Sequence, residues 1–198
     1  MSSCSICHRS NPILYTCQLC EGPVYCGSKC ANQGWYVGEH YKHHAEHLVD
    51  QVISQSSEGL GAVWIGSADI LSDDSFIEQN HICAVLSVIT KDSLSDDYIY
   101  AHIPKSILHM RIPIRDYPTE PLERYLDQGA DFIDSNRHCG GGVLVHCRGG
   151  ISRSVSIVIY YMHKYLGYTV DAALAKIRES RPAARPNEGF MNKLYRIT

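Results

Sequence analysis

The chain has 198 residues, a formal net charge of −3 at pH 7 and an apolar fraction of 44%. That composition fits one ordinary domain plus a small module, and it excludes a disordered chain. The balance of charge argues against nucleic acid or an anionic membrane as partner, and no apolar run approaches the roughly 18 residues that span a bilayer.

Cysteine usage divides the chain. Of the nine cysteines, Cys4, Cys7, Cys17, Cys20, Cys26 and Cys30 crowd the N-terminal part, while Cys83, Cys139 and Cys147 are scattered. The opening residues, Met1 to Asn11, are polar and unlike a secretory signal. A reducing compartment, cytoplasm or nucleus, is therefore expected, with metal rather than disulfides on the paired cysteines. Cys4-x2-Cys7, Cys17-x2-Cys20 and Cys26-x3-Cys30 are three ligand pairs. Two tetrahedral zinc sites need a fourth, which the run from His40 to His47 supplies. Ligands four apart share a helix face, so His40 with His44, or His43 with His47, would serve. Six thiolates and two imidazoles then hold two structural Zn²⁺, leaving no open position for catalysis. So few aliphatic residues supply no core, so the metal is expected to fold this module.

The domain boundaries expected from composition are a zinc-binding module at 1–50, a linker at 51–59 centred on the turn-prone Ser54-Gln55-Ser56-Ser57-Glu58-Gly59, and a larger domain at 60–198. In that domain Val63 to Ile65 is a short strand ended by Gly66. Ala84 to Ile89 is a buried strand. His109 to Ile114 alternates, with Met110, Ile112 and Ile114 on one face. Pro121 to about His138 is helical, carrying Leu122, Tyr125, Leu126, Ala130 and Ile133 at three- and four-residue steps. Val143 to Val145 is a buried strand running into His146-Cys147. Ser152 to Leu166 is the most apolar helix, ended by Gly167. Thr169 caps a further helix and Asn187 a last one. This order predicts an α/β fold, a central mixed sheet flanked by helices, preceded by the small two-zinc module.

The stretch that carries chemistry is His146-Cys147-Arg148-Gly149-Gly150-Ile151-Ser152-Arg153-Ser154. It lies between a buried strand and a helix start. A loop closing onto a helix N-terminus points several backbone N–H groups at one spot, where the helix dipole also favours an anion. Gly149 and Gly150 let the backbone curl closely. Arg153 supplies a planar fork for two phosphoryl oxygens. The same field favours the Cys147 thiolate, a nucleophile for phosphorus. His146 is placed to orient the backbone and sulfur rather than to act as a base. Asp116, just past a strand end in Ile114-Arg115-Asp116-Tyr117-Pro118, is the candidate general acid. As carboxylate it would then activate water. Ser154 is placed to donate a hydrogen bond to the departing sulfur.

These motifs resemble the dual-specificity phosphatases of the protein tyrosine phosphatase superfamily. The matches are His146-Cys147-x5-Arg153-Ser154, Ile112-Pro113-Ile114-x-Asp116, the apolar helix after the loop, Arg181-Pro182 with Pro186-Asn187-x-Gly189-Phe190, and the opening Ile65-Gly66-Ser67. The resemblance covers about residues 60–198. It implies metal-free catalysis on phosphotyrosine and phosphoserine or phosphothreonine in proteins, with Arg148, Gly149, Gly150, Ile151 and Ser152 cradling the phosphate. Arg148 departs from the family's small or uncharged residues and leaves a phosphoinositide or RNA 5′-phosphatase as the alternative. Ile151 argues against the lipid reading. A non-catalytic phosphoprotein-binding scaffold is the remaining reading, opposed by the intact Cys147, Arg153 and Asp116. In some relatives a second cysteine bridges the nucleophile under oxidation, a role open to Cys83 or Cys139.

The N-terminal spacing, with Tyr25-Cys26-x3-Cys30 and then Trp35, resembles a MYND-type zinc finger. Its order favours His40 and His44 as the histidine ligands, with an insertion after Trp35. Its interleaved wiring implies that Cys4, Cys7, Cys26 and Cys30 share one zinc, while Cys17, Cys20 and the histidines share the other. Such fingers bind protein segments, often proline-rich, which implies a targeting role.

Overall fold

The computed structural model describes residues 48–197, together with Cys4, His8, Tyr15–Thr16 and Val24–Tyr25. The chain divides into two compact units, Met1–His47 and Leu48–Thr198. In the first, strands β1 (Tyr15–Thr16) and β2 (Val24–Tyr25) pair antiparallel. Cys4 is buried, and its carbonyl accepts a bond from the His8 amide. The remaining expected zinc ligands, Cys7, Cys17, Cys20, Cys26, Cys30, His40 and His44, lie outside the described residues, as do His43 and His47.

The second unit is built on a five-stranded sheet of β3 (Val49–Ile53), β4 (Val63–Gly66), β5 (Ile82–Val88), β6 (Leu108–Ile112) and β7 (Gly142–His146). Its spatial order is β3-β4-β7-β5-β6. Only the β3–β4 pairing is antiparallel. This corrects the expected boundaries. Residues 49–53, divided between module and linker in the sequence reading, are a strand of the large sheet, and residues 54–59 turn the chain from β3 into β4. The sequence Val49-Asp50-Gln51-Val52-Ile53 lacks a continuous apolar run because β3 is an edge strand, with Val52 alone fully buried.

The central strands alternate between two cores. Val143 and Val145 of β7, with Ala84, Leu86 and Val88 of β5, face α3 (Leu126–Arg137), α4 (Arg153–Leu166), α5 (Val170–Ser180) and α6 (Glu188–Ile197). Leu144 and Val85 face the other way, onto the 3-10 turn Ala68–Ser72 and the short helices α1 (Asp74–Gln79) and α2 (Asp96–His102). A strand buried on both faces reads as an unbroken apolar run, which is the pattern of Val143-Leu144-Val145. Helix α4 is apolar nearly all round because it sits at the centre of its layer; Val155, Ile157, Val158, Ile159, Tyr161 and Met162 are all buried.

The ends of the elements follow local chemistry. Thr169 accepts from the Ala172 amide at the start of α5, and the Asn187 side chain accepts from the Phe190 amide at the start of α6. Gly167 closes α4. The segment expected as one helix from Pro121 is a 3-10 turn, Leu122–Arg124, followed by α3. Helices α1 and α2 were not expected. Each is short, and each starts on a capping side chain, Asp73 and Ser95 respectively. Among the described residues no helix is long and apolar enough to cross a membrane.

Candidate active site

The parallel strands β4, β5, β6 and β7 leave their carboxyl ends on one edge of the sheet, the usual position for a site in such folds. Residues 147–152 form the loop between β7 and α4, and the segment after β6 carries Asp116 to the same edge.

Four carbonyls of the loop are held from outside. Arg148 O accepts from the Ala68 amide at 3.2 Å, and Ile151 O from the Arg185 amide at 2.8 Å. The buried Arg181 guanidinium donates to Gly150 O at 2.6 Å and to Gly149 O at 3.2 Å, and is itself held by Asp50 Oδ2 at 2.6 Å. A peptide plane whose carbonyl faces outward turns the next N–H inward. The amides of 149–152 therefore converge on the interior of the loop. Gly150 has φ of +65°, and a Cβ there would lie 2.5 Å from Arg181 Nη2 and 2.6 Å from Gly66 O. No other residue type fits both the conformation and the space.

Cys147 is 1% exposed at the base of the loop. Its sulfur accepts a hydrogen bond from Ser154 Oγ at 3.3 Å. Burial alone pushes the thiol up. The Arg153 charge, the Ser154 hydroxyl and the Ser154 amide outweigh burial and hold it below the ordinary thiol value. Arg153 opens α4 and is 7% exposed. Its Nη1 donates to Ile114 O at 3.4 Å, while its Nε is buried without a hydrogen-bond partner among the described residues.

Asp116 reaches the loop from the segment that follows β6. Its Oδ1 accepts from Ser152 Oγ at 2.6 Å and from Asn187 Nδ2 at 2.8 Å, and its Oδ2 lies 3.6 Å from Arg153 Nε. Helix α6 holds the segment that carries it. Lys193 Nζ donates to Pro118 O at 2.8 Å, and Pro118 packs so closely on Gly189 that a Cβ there would fall 2.1 Å from the Pro118 oxygen.

His146 is fully buried, and desolvation depresses its pKa to about 3, so it is neutral at physiological pH. Its Nδ1 lies 3.4 Å from the Cys147 carbonyl oxygen and its Nε2 lies 2.6 Å from Ser87 Oγ. It thus touches the backbone; the sulfur takes its side-chain hydrogen bond from Ser154 instead.

The sequence-derived set Cys147, Arg153, Asp116 and Ser154 is therefore brought together, with Arg148, Gly149, Gly150, Ile151 and Ser152 forming the cradle. Ser152 does more than line the loop, since its hydroxyl binds Asp116. Arg148 shares its side of the loop with Asp69, whose half-buried carboxyl is raised by burial and pulled partly back by the Arg148 charge. Cys83 is not brought to the nucleophile. It lies level with Gly142 and Val143, at the other end of β7 from Cys147, roughly 13 Å of strand away. Cys139, whose sulfur donates to Ser135 O on the last turn of α3, belongs to that same far end. Neither is within disulfide reach of Cys147. Sequence reasoning missed Asp50, Ser87 and the second role of Asn187. Asp50 and Ser87 carry no local signal, and Asn187 is legible only as a helix cap.

Comparison with known proteins agrees with this geometry. The sequence profile of the dual specificity phosphatase catalytic domain matches residues 63–198. Dual specificity protein phosphatase 1 of Arabidopsis thaliana is 34% identical over 147 residues, covering 73% of this chain and 68% of that protein. Among solved structures, the Yvh1 phosphatase domain from Chaetomium thermophilum matches with a TM-score of 0.58 at 28% identity, covering 74% of this chain and 92% of the other. Human DUSP28 shares the fold with a TM-score of 0.64 at 21% identity, covering 75% and 91%. The chain belongs to the dual specificity phosphatase family, the protein tyrosine/serine/threonine phosphatases that hydrolyse phosphoric monoesters.

Proposed function

We propose that this phosphatase acts on phosphotyrosine and phosphoserine or phosphothreonine in proteins through a cysteinyl-phosphate intermediate. The phosphoryl oxygens sit in the ring of amides at 149–152 and take the Arg153 fork. The Cys147 thiolate attacks phosphorus and the bond to the leaving oxygen breaks, with the protonated Asp116 giving that oxygen its proton. Asp116, now a carboxylate, takes a proton from water as the water attacks the cysteinyl-phosphate. Phosphate departs, and Ser154 stabilises the released thiolate through the 3.3 Å hydrogen bond.

The observation that carries this reading is the Arg153 Nε, a buried charged donor that makes no hydrogen bond among the described residues and whose ion pair with the Asp116 carboxylate is 3.6 Å long. An unsatisfied buried donor on a charged group costs upward of ~1–3 kcal/mol. A phosphoryl oxygen would satisfy it. The reading is tested by hydrolysis of an aryl phosphate under reducing conditions. Activity is expected in the wild type and absent in Cys147→Ser; an inactive wild type would favour the binding-scaffold reading.

One feature favours a second substrate class. Arg148 places another guanidinium on the loop, as a phosphoinositide phosphatase would use. Asp69 offsets that charge, and Ile151 adds none, so the protein substrate is preferred. Assay of phosphopeptides, phosphoinositides and 5′-triphosphorylated RNA side by side is expected to show the highest kcat/KM on peptides, and a preference for either of the others overturns this assignment.

The N-terminal unit is proposed as a MYND-type module that holds two structural Zn²⁺ and directs the enzyme to protein partners with proline-rich segments. Six cysteines and two histidines suit zinc by ligand softness and number, and the buried Cys4 is consistent with that use. Elemental analysis is expected to give two zinc per chain; one or none refutes the paired sites.

A further inference from the structure

His146 spans two contacts of different kind, and together they fix the direction of a longer chain. A carbonyl oxygen only accepts, so the 3.4 Å contact to Cys147 O requires the proton on His146 Nδ1. His146 is neutral, so its Nε2 is then a lone pair, and the 2.6 Å contact to Ser87 requires the Ser87 hydroxyl to donate. That uses the one hydrogen Ser87 has. The 2.9 Å contact between Ser87 Oγ and His109 Nε2 must therefore run the other way, with His109 donating. The three residues lie on the adjacent strands β6, β5 and β7: Ser87 pairs with His146 in the sheet register, and His109, which pairs with Val85, reaches Ser87 along the diagonal.

We infer that Ser87 and His109 are positioning residues of the cysteine loop, fixing the tautomer of His146 and through it the peptide plane between Cys147 and Arg148. The inference rests on the reading of Cys147 as nucleophile. With the Cys147 carbonyl held toward His146, the Arg148 N–H on the same plane points the opposite way, toward the anion cradle. Without a donor at Ser87, His146 is free to carry its proton on Nε2. Its Nδ1 then presents a lone pair to the Cys147 oxygen, and the plane loses its anchor. Ser87 is fully buried, so no bulk water replaces the lost donor.

His109 is the half-buried end of this chain. Facing it are Arg111 on its own strand, Asp96 and Tyr100 of α2, and Ser87 and His146 across the sheet. Burial and then Arg111 lower its pKa, against the opposing pull of Asp96. Neutral or protonated, His109 keeps a hydrogen on Nε2, so the chain's direction survives acidification. The device orients the loop and is not a pH switch.

Imidazole ¹⁵N NMR of the folded wild type is expected to show His109 protonated at Nε2 and His146 at Nδ1. The reverse tautomer at either ring overturns the inference. A second measurement follows the alkylation of Cys147 by iodoacetamide against pH, which needs no turnover. The midpoint is expected to rise by about one pH unit in Ser87→Ala and in His109→Phe, and to stay at the wild-type value in His109→Gln, which keeps a donor. Folded Ser87→Ala with the wild-type midpoint, or His109→Gln behaving as His109→Phe does, contradicts it. A wild-type midpoint at the value of an unperturbed thiol would instead count against Cys147 as nucleophile, so the two failures are distinguishable.

Discussion

A free thiol is almost fully protonated at neutral pH, so the chemistry of Cys147 depends on what surrounds its sulfur. Burial works against ionisation there; Arg153 and the Ser154 hydroxyl and amide reverse the sign. The acid role proposed for Asp116 is separate, and separate measurements detect it. Asp116→Asn is expected to lower kcat about a hundredfold on alkyl phosphates, whose leaving group needs a proton. Vanadate binding should persist, since it uses the amides and Arg153. An unchanged rate on such substrates removes Asp116 from the mechanism. Besides its contact with the loop, His146 affects stability. Its pKa of about 3 in the folded protein lies below the ordinary 6.5, so between these values the unfolded chain binds a proton that the native chain does not. Stability must then fall as pH drops from about 6.5 toward 3, by about 1.4 kcal/mol per pH unit from this residue. Urea denaturation of wild type and His146→Gln over that range should show a shallower acid loss in the variant. Equal slopes would mean that His146 is not buried neutral.

At the scale of elements, three pieces meet at the loop and each is held by a residue far away in sequence. Helix α6 holds the acid segment through Asn187, Gly189 and Lys193, while Arg181, at the end of α5, ties the loop to Asp50 on β3. Gly189→Ala tests the first link. A methyl group there collides with the Pro118 carbonyl, so the acid segment must move off α6. The expected result is a fall in kcat of about tenfold or more on alkyl phosphates, with vanadate affinity and Tm close to wild type. Equal losses of vanadate affinity and rate would place the damage in the loop instead. These links also mark how far sequence carries. Cys147-x5-Arg153, the β7 run before it and the apolar face of α4 are local patterns, and the structure has them where the pattern indicates. Asp50 sits on an edge strand that composition alone divides between the N-terminal module and the linker. Ser87 lies inside an apolar strand, where only its register against His146 and the diagonal reach of His109 from the neighbouring strand give it partners. Such pairings across the sheet leave no trace in the spacing of one segment.

For the whole molecule, the larger unit was legible because its layers repeat simple periods, two in the strands and near 3.6 in α3 to α6. The short helices α1 and α2 escaped because each offers barely two turns to a pattern that needs three. Family membership then fixes the reaction class, and the proposed route takes the phosphoryl group through the Cys147 sulfur. The most direct measurement is acid quenching of Asp116→Asn during turnover of a ³²P-labelled aryl phosphate, followed by peptide mapping. With a good leaving group the first step proceeds without the acid, whereas hydrolysis of the intermediate lacks its base, so phosphate should accumulate on the sulfur. An initial burst of the aryl product is expected, with label recovered on the peptide containing Cys147. Continued hydrolysis with no labelled peptide, or label on any other residue, would contradict it.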